Sequence, residues 1–386
     1  MEIFTLMILT NMVMIKVWRV FMLYVTLLLC FAASIFLTPI VKKLAFKIGA
    51  TDKPNQRKVH QKIMPRLGGL AIYISFLIGI AIIQPNPKFL LPILNLSENL
   101  NLAIILGSLI IIFTGIVDDT KEISPKVKLL GQILASFVVV FLGDIRLEFI
   151  NLPFGAGELD FGMLSIPFTM VWIIGITNAI NLIDGLDGLA AGVSTIALFT
   201  IAGMAYMMGN PYVMVVALIA AVSTLGFLVY NFHPAKIFMG DTGALFLGFL
   251  IGVLSLLGFK NVTFISLIIP VIILGVPISD TFFAIIRRLV NKQPLTAPDK
   301  SHLHHCLLRS GFTHRQTVLL IYVMSALFGL TAFIFSQATI RGSILILLVV
   351  LVVIELIVEK IGLVREDYRP LLNMLKGRRP GIIRNK

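Results

Sequence analysis

Residues 188–230 read GLAAGVSTIALFTIAGMAYMMGNPYVMVVALIAAVSTLGFLVY, without one charged side chain. Gly209, Asn210 and Pro211 divide the stretch into two apolar runs, 188–208 and 212–230. Each approaches the roughly 20 residues that a helix needs to cross hydrocarbon. Lipid offers no partners to free backbone groups, so such runs span as helices. Nine more runs lie at 18–40, 68–84, 101–117, 127–143, 166–181, 243–259, 262–286, 317–336 and 343–360. The expectation is an all-α polytopic integral membrane protein with about 11 transmembrane helices. The loops are too short for a large soluble domain, so residues 1–386 read as one membrane domain.

The composition agrees. Of the 386 residues 58% are hydrophobic and 13% charged, and mean hydropathy is +0.98. A soluble domain carries about 25% charged residues. Two cysteines, Cys30 and Cys306, exclude a disulfide scaffold, and the apolar content excludes disorder. Residues 1–16 hold Glu2 and no early positive charge, unlike a cleaved signal peptide. They read as an interfacial extension of the first span or as the result of a start codon placed too far upstream.

Charge sets the orientation. With the N-terminus outside, 26 of the 32 lysines and arginines fall on the cytoplasmic side, including those of the tail 361–386. Only Lys16, Arg19, Lys88, Arg146, Lys260 and Arg341 remain outside. The topology is N-out and C-in. Most of the net charge of +13 is then the positive-inside bias plus attraction to anionic lipid. The basic clusters lack interleaved aromatics, so nucleic acid is not an expected partner. The tripeptides Asn95-Leu96-Ser97 and Asn261-Val262-Thr263 resemble glycosylation sequons of the kind that chance produces.

The acids carry the functional signal. A carboxylate at the bilayer centre costs on the order of 3 kcal/mol. Here Asp118 and Asp119 close the third run, Asp184 and Asp187 follow the fifth, Asp241 precedes the eighth and Asp280 lies late in the ninth. Like charges about 4 Å apart repel by roughly 4 kcal/mol at an effective dielectric of 20. A divalent cation such as Mg²⁺ or Mn²⁺, shared with a phosphate, removes that cost.

Asn178, Asn181, Asp184 and Asp187 recur every third position among apolar residues and glycine, as one stripe on a helix. The bland alternative is an interhelical hydrogen-bond seam. Phe238-Met239-Gly240-Asp241-Thr242-Gly243 leads into the eighth run, where free N–H groups suit phosphate, or where Asp241 caps the helix. Asp118 and Asp119 point about 100° apart on a helix, so only one is expected to face a given site. Four of the six histidines lie at 302, 304, 305 and 314. His302, His304, His305 and Cys306 are too crowded for the usual zinc spacing, which favours a phosphate or sugar contact. Asp280 is a candidate partner for Arg287 or Arg288, with a direct role in the site as the alternative.

Together these pieces resemble the polyprenyl-phosphate N-acetylhexosamine-1-phosphate transferases. The resemblance rests on Arg57-Lys58-Val59-His60, Pro65-Arg66-Leu67-Gly68-Gly69, Asp118-Asp119, Asn178 to Ala190, Asn231 to Gly243 and Pro298 to His305. It runs from about residue 35 to about residue 370. The similarity is greatest to the branch that begins teichoic-acid linkage units on undecaprenyl phosphate. It implies a Mg²⁺-dependent reaction in which a polyprenyl phosphate attacks the β-phosphate of UDP-N-acetylglucosamine and UMP leaves. It implies a multi-pass protein of the bacterial plasma membrane with a cytoplasmic active site, and leaves a homodimer open.

By the same resemblance, Asn181 and Asp241 are metal ligands, and Asp118, Asp119 and Asp241 form the catalytic group. Asp184 and Asp187 contact the nucleotide. His302, His304 and His305 contact the diphosphate or sugar. Arg66, in a matching motif, is a substrate contact; apart from the resemblance, Lys121, Lys126 and Lys128 stand just past the aspartate pair as contacts for the lipid phosphate or, equally, as topology determinants. Leu303 interrupts the histidine triplet of the peptidoglycan branch, which favours N-acetylglucosamine over a muramyl-pentapeptide substrate. A phosphate with a second pKa near 6 is already largely ionised at neutral pH, so positioning outweighs a strict base role for Asp118. A transporter would place acids at the midplane. A CDP-alcohol phosphotransferase would carry Ala-Arg after its first Asp-Gly pair and further aspartates downstream on the same helix pair, whereas here Leu189-Ala190-Ala191-Gly192 follows without an arginine.

Overall fold

The computed structural model describes residues 2–52, 63–83, 98–151, 157–259, 264–294, 301–361 and 370–375. The segment Arg57 to His60, residues 298–300, both sequon-like tripeptides and nearly all of the basic tail lie outside these residues. The chain divides into two compact units.

Among its described residues the first unit holds eight α-helices: α1 (Glu2–Ile48), α2 (Gly68–Ile83), α3 (Glu98–Lys121), α4 (Pro125–Phe141), α5 (Ser165–Leu182), α6 (Leu189–Met207), α7 (Pro211–Asn231) and α8 (Gly240–Phe259). Residues 2–16 continue α1 as helix. α8 is apolar on every side, the pattern of a helix with no lipid face. Its most apolar stretch is 83% buried, against 17% in α1, and it packs against α2, α3, α5, α6 and α7. The start of α8 is therefore surrounded by the ends of its neighbours. Between α1 and α2, strands β1 (Thr51–Asp52) and β2 (Met64–Pro65) pair antiparallel, Thr51 opposite Pro65.

The second unit holds α9 (Phe264–Ile273), α10 (Gly275–Val290), α11 (Leu303–Arg309), α12 (His314–Gln337), α13 (Ile340–Ile361) and α14 (Pro370–Leu375). The run 262–286 is thus not one helix. It breaks at Leu274, after the internal Pro270 and beside Gly275. Pro270 lacks an N–H and its ring crowds the preceding turn. Gly275 admits Phe328 of α12 so closely that a Cβ would lie 2.7 Å from the ring. Thr313 and Gln316 form a capping box that starts α12. The buried carboxylate of Glu359 accepts the N–H groups of Leu371 and Leu372.

Seven of the described helices are long and apolar enough to cross a membrane, within Val20–Ile48, Asn99–Lys121, Gly162–Leu182, Leu189–Met207, Pro211–Asn231, Gly240–Gly258 and His314–Gln337. The protein is an all-α, multi-pass membrane protein.

Candidate active site

The Pro65-Arg66-Leu67-Gly68-Gly69 segment runs alongside the approach to α8. Phe238 N–H donates to Pro65 O (2.8 Å), Gly68 N–H to Phe238 O (3.0 Å) and Gly69 N–H to Met239 O (2.9 Å). The backbones meet because both facing residues are glycine. A Cβ on Gly69 would fall 2.0 Å from Gly243 N. On the opposite side, Gly115 of α3 lets Thr242 approach, and a Cβ there would lie 2.4 Å from Thr242 Cα. These contacts bring two distant motifs against the last turn of α3, which carries Asp118 and Asp119.

Asp119 is fully buried and caps α8 from outside. Its Oδ1 accepts Asp241 N–H (2.9 Å), and its Oδ2 accepts Thr242 N–H (3.0 Å) and the Thr242 hydroxyl (2.6 Å). Arg66 Nε also donates to Asp119 Oδ1 (3.1 Å). The helix N-terminus expected to receive a phosphate is therefore already occupied by a carboxylate of the chain itself. Nor does Asp241 cap α8 with its own side chain.

That side chain collects the neighbouring polar groups. Asp241 Oδ1 accepts from Asn181 Nδ2 (2.6 Å) and Lys128 Nζ (2.8 Å), and Oδ2 from Arg66 (3.1 Å). Lys128 also pairs with Asp118 Oδ2 (2.5 Å), while Asp118 Oδ1 accepts Ile123 N–H (3.0 Å). Arg66 further reaches Asp52 (3.7 Å). The two adjacent aspartates reach the cluster from different sides. Asp119 meets the start of α8, and Lys128 rises from α4 to link Asp118 to the same Asp241 carboxylate. Arg66, Asp118, Asp119, Lys128, Asn181 and Asp241 form one cluster. Lys121 does not join it: its side chain is exposed and has no partner among the described residues.

The polar stripe is also shorter than its spacing suggested. α5 ends at Leu182, so only Asn178 and Asn181 are helical. Gly188 adopts φ +77°, and Asp184 and Asp187 lie in the turn between α5 and α6. Asp187 Oδ2 is held by His233 Nδ1 (2.8 Å) and Ala235 N–H (3.1 Å). The Asp184 carboxylate has no hydrogen-bond partner among the described residues. Desolvation, then the charges of Asp241 and Asp119, push its pKa up to about 8, against the opposing charge of Arg66. Asp118, Asp119 and Asp241 thus share two cations, Arg66 and Lys128, with Asp184 close enough to feel the charges of Asp119, Asp241 and Arg66. The Asp184 carboxylate and the Asn181 oxygen, neither with a hydrogen-bond partner among the described residues, stand near Asp241 as an oxygen donor set suited to Mg²⁺ or Mn²⁺.

The histidine motif lies in the second unit. His302 and His304 are buried with rings stacked at 6.0 Å, and the His304 and His305 rings lie 4.2 Å apart. Asp280 Oδ2 bonds His302 Nδ1 (2.9 Å) and Oδ1 accepts Leu303 N–H (2.8 Å), so Asp280 anchors the histidine helix rather than serving chiefly the arginines of α10. Burial, with the charges of His305, His302 and His314, lowers the pKa of His304 to about 3 against the pull of Asp280.

Thr242, His233 and Gln132 escaped the sequence reading. The first two lie inside quoted motifs, and the third is a lone amide in the apolar run of α4.

A cluster of carboxylates, an arginine and a lysine, built where the ends of membrane helices meet, defines a membrane enzyme that handles anionic phosphate groups. Residues 101–259 match the family described as Glycosyl transferase family 4. The chain is 48% identical over 359 residues to a protein of Bacillus subtilis (strain 168) called probable undecaprenyl-phosphate N-acetylglucosaminyl 1-phosphate transferase, covering 93% of this chain and 97% of that one. It is 34% identical to the decaprenyl-phosphate N-acetylglucosaminephosphotransferase of Mycolicibacterium smegmatis, over 86% of each chain. It is 31% identical to the undecaprenyl-phosphate alpha-N-acetylglucosaminyl 1-phosphate transferase of Escherichia coli (strain K12), over 79% of each. The chain belongs to the polyprenyl-phosphate N-acetylhexosamine-1-phosphate transferase family and is a glycosyl-1-phosphate transferase.

Proposed function

We propose that the protein transfers N-acetylglucosamine-1-phosphate from UDP-N-acetylglucosamine to undecaprenyl phosphate, at the cytoplasmic face of a bacterial plasma membrane. An oxygen of the lipid phosphate bonds to the β-phosphorus of the nucleotide sugar. The bond from that phosphorus to the bridging oxygen breaks, and UMP leaves with the electron pair. The product is an undecaprenyl-diphosphate sugar, the first membrane intermediate of teichoic-acid linkage. The observation that carries this reading is the convergence of Arg66, Asp118, Lys128, Asn181 and Asp241 on one carboxylate-rich point.

Asn181 and Asp241, beside Asp184, which has no hydrogen-bond partner among the described residues, are the residues that would hold Mg²⁺, or Mn²⁺ in its place. When bound, the ion supplies charge neutralisation between two phosphate groups that otherwise repel. Lys128 and Arg66 supply positive charge for the same anions, and Asp118 orients Lys128. The lipid phosphate is already largely ionised, so Asp118 has no proton to remove at neutral pH. Asp187, held by His233, faces the nucleotide. His302, His304 and His305, with His304 kept neutral, offer hydrogen bonds to the sugar diphosphate.

The test is direct. Purified protein in detergent, given radiolabelled UDP-N-acetylglucosamine, undecaprenyl phosphate and Mg²⁺, is expected to move label into the lipid extract and release UMP in equal amount. Label that stays in the aqueous phase would overturn the assignment. A muramyl-pentapeptide donor is expected to give no product.

A further inference from the structure

Beyond the charged cluster lies a pair of neutral amides. Gln132 of α4 is buried, with 1% of its surface exposed. Its Nε2 donates to Asn178 Oδ1 (3.3 Å), and Asn178 Nδ2 donates back to Gln132 Oε1 (2.8 Å). Asn178 Nδ2 also bonds Ile174 O (2.9 Å) on its own helix, which fixes the rotamer. Two primary amides facing each other satisfy a donor and an acceptor on each side. In an apolar helix interface, losing either partner strands the other's polar atoms at a cost larger than the bond itself.

Each member sits one turn from a residue of the site. Lys128 is four positions before Gln132 on α4, and Asn181 is three positions after Asn178 on α5, spacings that share a helix face. Lys128 and Asn181 donate to the same atom, Asp241 Oδ1. The other side of α4 is fixed as well. A Cβ on Gly131 would lie 2.2 Å from the Thr114 hydroxyl of α3, one turn before Asp118. α4 is therefore seated against α3 by close packing and tied to α5 by the amide pair.

We propose that Gln132 and Asn178 are a positioning pair. Their reciprocal bond sets the register of α4 against α5, so that Lys128 and Asn181 reach a single oxygen of Asp241. The proposal rests on the transferase reading above. A displacement of about 1 Å at reacting groups costs roughly 100-fold in rate. The pair is expected to act on turnover and hardly on binding, since neither amide belongs to the charged group.

The experiment exchanges the two side chains. Gln132→Asn leaves the bridge short and Asn178→Gln makes it long, while the double exchange restores its length. Each single variant is expected to lower kcat by roughly 10- to 100-fold with KM for UDP-N-acetylglucosamine within about threefold. The double exchange is expected to recover kcat to within about threefold of the original chain. A double exchange no better than the weaker single variant overturns the pair, as does a change confined to KM, which would mark a substrate contact. If a single variant does not accumulate in membranes, the double exchange decides alone. Recovery supports the pair, and a double variant that is inactive or fails to accumulate overturns it. An unsubstituted chain that releases no UMP fails the transferase reading, whereas a working chain with an unrescued exchange fails the pair alone.

Discussion

Asp119 and Thr242 are joined twice: the Asp119 Oδ2 atom accepts both the backbone N–H of Thr242 (3.0 Å) and its hydroxyl (2.6 Å). With Asp241 N–H and Arg66 Nε on the other oxygen, every donor near this carboxylate is matched. Asp119 is thereby spent on seating the first turn of α8, which carries Asp241. An asparagine at 119 keeps one acceptor oxygen and turns an NH₂ group toward groups that themselves donate. Asp119→Asn is expected to lower thermal stability in detergent as well as activity. The cost is on the order of 3 kcal/mol, the range for breaking a buried charged pair. Thr242→Val is expected to lose about 1 kcal/mol and Thr242→Ser almost nothing, since serine keeps the hydroxyl. Equal melting temperatures for Thr242→Val and Thr242→Ser would show that this hydroxyl bond holds nothing.

Asp241 and Asn181 are predicted to behave differently from Asp119, because the proposed function assigns their side chains to the metal and the reactants. Asp241→Ala and Asn181→Ala are expected to abolish lipid labelling while the protein still accumulates in membranes. Asp118→Asn is expected to slow turnover strongly with nucleotide-sugar binding kept, because Asp118 acts through Lys128. Near-normal labelling in Asp241→Ala would contradict the site. Loss of nucleotide binding in Asp118→Asn would move Asp118 to the binding surface.

Lys128 and Lys121 lie seven positions apart and both read as contacts for substrate phosphate, yet of the two only Lys128 reaches carboxylates among the described residues, those of Asp118 and Asp241. Lys128→Ala leaves both with surplus charge and is expected to cost at least roughly 100-fold in kcat/KM. Lys121→Ala is expected to stay within about twofold, as exposed lysines contribute little. Steady-state UMP release for the two variants gives the comparison.

Much of this arrangement was legible before the coordinates. A carboxylate next to an apolar run is costly, so Asp118, Asp184 and Asp241 announced themselves by where they stood. What stayed hidden had no such cost attached. Thr242 reads like any hydroxyl after an aspartate, and its role appears only once α3 lies beside α8. Spacing alone carries the helical stripe through Asp187, and the stop signal lies in Gly185 and Gly188. Hydropathy ignores backbone chemistry, so the run 262–286 reads as continuous across Pro270 and Gly275. Gln132 is the exception, since an amide within an apolar helix is costly without a partner.

The glycines of the Gly68-Gly69 segment offer a steric test with a built-in control. A Cβ on Gly69 would collide with backbone atoms of Gly243 at about 2 Å, where no flexible side chain can yield. Gly69→Ala is expected to drive the Arg66 segment away from α8 and abolish activity. Gly175 of α5 has nothing within 4 Å of the same position. Gly175→Ala is expected to be silent, or to stabilise by up to about 1 kcal/mol through helix propensity. Melting temperature and UMP release on both variants check the pair.

His304 makes the pH prediction. Burial first, then the charges of His305, His302 and His314, hold its folded pKa near 3 against 6.5 for the free side chain, with Asp280 favouring protonation. A lowered histidine pKa means that the unfolded chain binds a proton the folded chain refuses, so stability is lost as pH falls below about 6.5 and is unaffected above it. Each pH unit inside that window costs up to about 1.4 kcal/mol. His304→Asn removes this group while keeping a neutral hydrogen-bonding side chain. The difference in melting temperature between the original chain and His304→Asn is therefore expected to shift in favour of the variant from pH 7 to pH 5. A difference that stays constant across that range would mean that His304 is protonated normally in the fold.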